Sequence, residues 1–185
     1  GPVDDPGSAV QTATAELRTA IQRSLHALTG GSSVEDTQYR VQQLMTATPG
    51  SQVFGLGLHS LGDSFSHRVI GDEGKLYGTG FGHAVDILSL KDPTAPDRIA
   101  GREDLYRDYV TTLFNVLRHH GAEKSTASAE VRKLIRDVVS QKEESGQIAV
   151  LRTFIESRIG EANPLLLTPE LHNVETFNEY GKSHS

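Results

Sequence analysis

The stretch that decides the fold runs from Gln52 to His67 and reads QVFGLGLHSLGDSFSH. Within it, His59, Asp63 and His67 follow one another at intervals of four residues. Because four residues of an α-helix advance only about 40° beyond a full turn, a helix over 52–67 places all three side chains on one face. The stretch also contains three glycines, each costing roughly 1 kcal/mol relative to alanine inside a helix, so we expect close packing or a nearby site there.

Apolar residues recur at helical spacing on both sides of this stretch, and no convincing run of strands interrupts them. The class is therefore all-α: a single-domain helical bundle of six to seven helices with a metal site between helices. We expect one domain over residues 1–185, with irregular ends at 1–8 and 164–185. The other predicted helices cover 9–28, 34–47, 83–90, 102–120, 127–142 and 146–160, and the predicted loops cover 68–82 and 91–101.

Composition excludes several classes of protein. The net charge of −6 disfavours a binder of duplex nucleic acid that works by neutralising many phosphates. The chain has no cysteine, so a thiolate zinc site, a disulfide framework and a cysteine nucleophile are all excluded. No apolar run approaches the roughly 20 residues of a transmembrane helix, so we expect no transmembrane segment. The composition leaves the compartment open.

The His–Asp–His stripe predicts a metal centre, since imidazole and carboxylate are the usual zinc ligands apart from thiolate. A second pair, His83 and Asp86, follows a glycine-rich loop. On a helix, His59 and His67 lie about 12 Å apart along the axis, which is too far for easy binding of one ion. We therefore expect two ions, zinc or another divalent metal, with Asp63 as a bridge between them.

Each of these residues also has an ordinary structural interpretation. A His–Asp pair one turn apart is commonly a polar helix face or an ion pair. His26, next to Leu25 in the first helix, fits a core histidine, and it is also the best candidate for an extra ligand. Arg68 fits an exposed loop arginine, or a bidentate donor to a phosphate.

The order of these residues resembles the zinc-dependent phospholipase C and single-strand nuclease superfamily. In this chain the order is His59, Asp63, His67, a glycine-rich loop, His83 and Asp86. The resemblance covers residues 59–86. It implies an all-helical fold, a bridging Asp63, and zinc ions that cleave phosphodiesters. The superfamily also uses an N-terminal tryptophan as a zinc ligand, and this chain has no tryptophan, so two ions, or even one, are expected rather than three.

A longer pattern also resembles uncharacterised domains at the ends of bacterial secreted toxins: LHSLGDSFSH over 58–67, then Gly82-His83, then PDRI over 96–99. We therefore expect a metal-dependent phosphodiesterase of the phospholipase C kind, acting on phospholipid headgroups as a secreted or delivered bacterial effector, with a cognate inhibitor protein as partner. Asp63, Asp86 and Arg68 are the candidate catalytic residues. Two alternatives stay open: a single-strand nuclease with the same site, and a non-catalytic domain with a structural metal.

Overall fold

The computed structural model describes residues 6–79, 98–121 and 127–162. The chain divides into two compact units, residues 1–135 and 136–185. The predicted helix over 83–90 and the tail from 164 lie outside the described residues, as do His83 and Asp86. The described elements are α1 (Pro6–Ser24), α2 (Ser33–Thr46), α3 (Gln52–Ser66), β1 (Arg68–Val69), β2 (Asp72–Leu76), α4 (Glu103–His119), α5 (Ala127–Val139) and α6 (Glu144–Ala162).

The predicted all-α class is confirmed, because helices account for most of the described residues and one two-stranded sheet is the only other regular structure among them. The helix predicted over 52–67 is observed as α3, and Ser51 caps it by accepting a hydrogen bond from the Phe54 amide. α1 begins at Pro6, so residues 6–8, which were predicted to be irregular, are helical. None of the described helices combines the length and hydropathy that a membrane span requires.

The loop predicted over 68–82 is wrong in part, because it contains a hairpin. β1 pairs antiparallel with β2, with Arg68 opposite Leu76 and Val69 opposite Asp72. The sequence does not indicate this strand, because β2 carries charged residues and glycine and buries only Leu76. Backbone bonds continue beyond the hairpin, where the Gly30 amide donates to the Tyr77 carbonyl. The hairpin thereby fixes the connection between α1 and α2.

The core of the first unit lies where α2, α3 and α4 meet. Leu44 from α2 and Val116 from α4 pack with three side chains of α3: Phe54, Leu61 and Phe65. These three follow helical spacing, so they form one stripe, and Asp63 lies about 200° around the helix from Leu61. The apolar stripe of α3 therefore packs into the core, while the His–Asp stripe lies on the opposite side of the helix.

Two apolar residues at helical spacing in α1 are not covered by another element, because Leu17 is 63% exposed and Ile21 is 44% exposed. The segment that follows α1 does reach the interior, where Ala27 and Leu28 are buried. Helical periodicity shows that an apolar stripe exists but not that another element covers it. The consequence is that α1 is anchored at its C-terminal end.

The second unit contains the end of α5 and all of α6. Val138 and Gln147 are fully buried there. The side-chain amide of Gln147 donates to the backbone carbonyl of Gln141. Ile148 and Ile155 of α6 are about half exposed. The candidate site lies in the first unit.

The glycines of α3 provide a matched test of close packing. A Cβ built at Gly57 would lie 2.8 Å from Leu44 Cδ2, whereas one at Gly55 meets nothing within 4 Å. We expect Gly55→Ala to raise the free energy of unfolding by about 0.5–1 kcal/mol through helix propensity. Gly57→Ala should be about 1–3 kcal/mol less stable than the Gly55 variant, because Leu44 is buried and cannot move aside freely. Urea denaturation of both variants measures the difference, and equal stabilities would refute the close contact.

Candidate metal centre

One carboxylate oxygen, Asp63 Oδ2, is the centre of the candidate site. Within α3, His59 Nε2 lies 3.5 Å from this oxygen. His67, the C-cap of the helix, places its Nδ1 4.0 Å from the same atom. The structure thus brings the three residues of the stripe together, as the i, i+4, i+8 spacing predicts.

His26 reaches the same carboxylate from the connection between α1 and α2. Its Nδ1 lies 3.0 Å from Asp63 Oδ2, and its ring meets that of His59 edge to face, with centroids 5.4 Å apart. The His26 side chain is 40% exposed, so the interpretation as a core histidine is wrong. The structure instead places it against Asp63 and His59, so its candidate role as an extra ligand stays a prediction.

The donor set fits a divalent metal. One ligand atom from each of His26, His59 and Asp63 lies within 4.8 Å of the other two. In a tetrahedral zinc site, bonds of about 2.1 Å place the ligand atoms about 3.4 Å apart, so a small movement of the two imidazoles closes the group. His59 is half exposed and Asp63 is 17% exposed. The group is therefore open to solvent on the histidine side.

The two-ion arrangement stays a prediction. Among the described residues, the donors gather at one point rather than at two points separated along α3. His83 and Asp86, which were expected to complete an ion, lie outside the described residues. The described part of the chain thus gathers one group of candidate ligands.

His67 makes a contact that the sequence did not predict. Its Nδ1 lies 2.5 Å from the backbone carbonyl of His26. A carbonyl oxygen only accepts hydrogen bonds, so Nδ1 carries the hydrogen and donates. Because a nitrogen with its hydrogen is not a metal ligand, Nδ1 of His67 holds the His26 backbone in this arrangement.

The structure does not direct Arg68 toward Asp63. The Arg68 guanidinium donates to the Ser64 carbonyl and to Thr37, and it lies 4.5 Å from the centre of the Phe65 ring. Phe65 lies about 200° around α3 from Asp63. These contacts match a structural arginine that joins α2 to α3, and the candidate role in phosphate binding stays a prediction.

A cavity of about 290 Å³ lies between α3 and α4, lined mainly by apolar and aromatic side chains. Tyr109 connects it to the site. A Cβ at Gly62 would lie 3.5 Å from the Tyr109 hydroxyl, and burial together with the negative charge of Asp63 raises the pKa of Tyr109. Tyr109 therefore stays a neutral phenol within electrostatic reach of the carboxylate.

Tyr106 lines the same cavity and gives a prediction on alkaline pH. Burial, with a smaller contribution from Tyr109, raises the pKa of Tyr106 to about 12. The raised pKa means that the folded state favours the neutral phenol. The contribution of Tyr106 to the free energy of unfolding is therefore complete below about pH 10, and it is lost as the pH rises through 12. Subtracting the tyrosinate absorbance of Tyr106→Phe from that of the wild type should leave a component that titrates near 12. A component near 10 would contradict the buried phenol.

Comparison of the chain with models of known protein families, with curated proteins and with solved structures finds no match.

Proposed function

We propose that this chain binds a divalent metal ion, zinc by preference, and that it is a metal-dependent phosphodiester hydrolase. The observation that carries the proposal is the convergence of His26, His59 and Asp63 on one partly exposed point. Two imidazoles and one carboxylate suit zinc, because zinc binds histidine nitrogen and carboxylate oxygen, whereas magnesium and calcium prefer oxygen ligands alone. The three come from two separate parts of the chain, so the group forms only in the folded protein.

The number of ligands and their exposure favour a catalytic site over a structural one. Structural zinc sites are closed by four protein ligands, whereas catalytic sites keep a position open for water or substrate. Among the described residues, three donors meet at this point, and both histidines are 40–50% exposed. A divalent ion held there supplies a Lewis acid that lowers the pKa of water and neutralises charge on a phosphoryl group.

The substrate class comes from the sequence pattern. The order of ligands from His59 to Asp86 resembles the phospholipase C and single-strand nuclease superfamily, and we propose phospholipid headgroups as the substrate. The net charge of −6 supports a lipid over an extended nucleic acid, since the latter gains affinity from basic protein surfaces. On this proposal the chain is a bacterial effector domain, and Asp63 and Asp86 act together at the metal.

Two chromogenic diesters with the same leaving group separate the substrates. Zinc-loaded protein is assayed with p-nitrophenyl phosphorylcholine, a lipid headgroup diester, and with the p-nitrophenyl ester of thymidine 5′-monophosphate, a nucleotide diester. We expect faster release of p-nitrophenol from the first. Faster release from the second would support the nuclease, and release from neither by metal-bearing protein would refute the hydrolase and leave a structural metal.

The matched variants are His59→Ala and His119→Ala, because both histidines lie exposed on helices and only His59 faces Asp63. Metal content is measured by mass spectrometry on each. We expect metal and hydrolysis to be lost in His59→Ala and kept in His119→Ala. Equal metal content in the two variants would refute the proposed ligand set.

The effector proposal also implies a cognate inhibitor protein that protects the producing cell. Such a protein would cover the solvent-facing side of His26 and His59. We expect co-expression of the domain with its genomic neighbour to yield a complex that has no hydrolytic activity. Failure of any neighbouring product to co-purify would count against the effector proposal and leave the metal site unaffected.

A further inference from the structure

A buried guanidinium fastens the end of α1 to the rest of the first unit. Arg40 of α2 is only 7% exposed. It donates to both carboxylate oxygens of Asp36, and it donates to the backbone carbonyls of Arg23 and Ser24 at distances of 3.0 and 2.6 Å. It also donates to the hydroxyl of Ser60 on α3. One side chain therefore joins α1, α2 and α3.

The anchored atoms lie beside the metal ligands in the chain. Ser60 follows His59 directly, and Ser24 precedes His26 by two residues. Ser60 Oγ also donates to the Ser24 carbonyl at 2.8 Å. The guanidinium and the hydroxyl thus set the distance between the last turn of α1 and the part of α3 that carries His59.

A second contact holds His26 from the other side. The His67 imidazole donates to the His26 carbonyl. The next residue, Ala27, has a φ of 54°, in the left-handed region that residues other than glycine adopt uncommonly. The backbone at His26 is therefore fixed in a particular turn by side chains on both sides of it.

We propose that Arg40 and His67 are positioning residues that hold His26 at ligand distance from His59 and Asp63 before an ion binds. The inference rests on the proposed metal site and adds residues that hold a ligand through its backbone. Partners that orient metal ligands typically contribute 10–100-fold to metal affinity. His67 is then a residue that orients His26 rather than a ligand through Nδ1.

Two substitutions of His67 separate positioning from ligation. In His67→Asn, the side-chain amide can donate to the His26 carbonyl in place of Nδ1, but the imidazole is gone. In His67→Leu, both are gone. Positioning predicts that zinc affinity, measured by competition with a chromophoric chelator, stays within a few-fold of wild type in the Asn variant and falls roughly 10–100-fold in the Leu variant. Equal, large losses in both variants would overturn the assignment and make His67 a ligand.

Arg40→Lys tests the other anchor while keeping a positive charge beside Asp36. An ammonium cannot reach the carboxylate, the hydroxyl and two carbonyls with the fixed fork of a guanidinium. We expect zinc affinity to fall roughly 10–100-fold. Val116→Ala is the control, since it weakens the core of α4 without touching α1. If zinc affinity falls equally in Arg40→Lys and in the control, Arg40 stabilises the fold in general and does not position His26.

Hydrogen exchange on the metal-free protein keeps this inference separate from the proposed function. The Leu25 and His26 amides donate to the Ile21 carbonyl in the last turn of α1. Both amides should exchange at least tenfold faster in Arg40→Lys and His67→Leu, and at the wild-type rate in His67→Asn. Unchanged exchange in all three variants overturns the inference. Absence of zinc binding by the wild type overturns the proposed function, whatever the exchange rates.

Discussion

Asp63→Asn is expected to weaken zinc binding by about two orders of magnitude while leaving the fold intact. Asparagine has nearly the size of aspartate, but it removes the negative charge on which His26 and His59 converge. Structural zinc sites with four ligands are worth about 10–16 kcal/mol, or about 3 kcal/mol per ligand, and 3 kcal/mol corresponds to about a 100-fold change in affinity.

The thermal midpoint gives a direct readout of this loss. A ligand present at 100 times its dissociation constant stabilises the native state by about 2.7 kcal/mol. For a protein of this size, zinc should raise the wild-type Tm by roughly 5–10 °C and the Asp63→Asn Tm by little. The control is Asp72→Asn, since that carboxylate is half exposed and pairs with Lys75 on the surface. A zinc shift of wild-type size in Asp63→Asn would refute the central role of this carboxylate.

Arg40→Met is expected to lower the free energy of unfolding by about 3–5 kcal/mol, the usual cost of removing one partner of a buried ion pair. The methionine fills part of the volume but leaves the Asp36 carboxylate, whose side chain is 11% exposed, without its cation. The carbonyls of Arg23 and Ser24 lose a donor as well. This is the largest stability effect that we expect from a single polar residue of the chain.

The matched control removes both charges. Asp36→Leu combined with Arg40→Met leaves no isolated buried charge, so the double variant should recover a large part of the stability that Arg40→Met loses. Urea denaturation of the wild type, the two single variants and the double variant forms a complete cycle. If the losses of the two single variants simply add in the double variant, the ion pair does not stabilise the fold in the way described.

Local pattern was enough to predict α3 and its two faces. The i, i+4, i+8 spacing of polar residues and the positions of Leu61 and Phe65 need only the helical period, and the structure places them as that period requires. Helix bounds were predicted to within a few residues for the same reason. The all-α class followed from these elements.

The sequence pattern does not predict contacts between distant parts of the chain. His26 reaches Asp63 because Arg40 and the hairpin fix the connection after α1, and periodicity carries no information on either. β2 was missed because its residues lack the alternation typical of a half-buried strand. The exposure of Leu17 was missed because a helical stripe does not reveal whether another element covers it.

The attachment of α1 at one end has a consequence for proteolysis. His26 and Asp63 are 37 residues apart in the sequence, so an ion bound to both acts as a removable cross-link that closes this loop. Most of α1 before that point is exposed, and its hold on the first unit depends on the last turn. If a chelator removes the ion, α1 should be the first part of the first unit to detach. We expect a protease to cleave α1 before it cleaves the core formed by α2, α3 and α4.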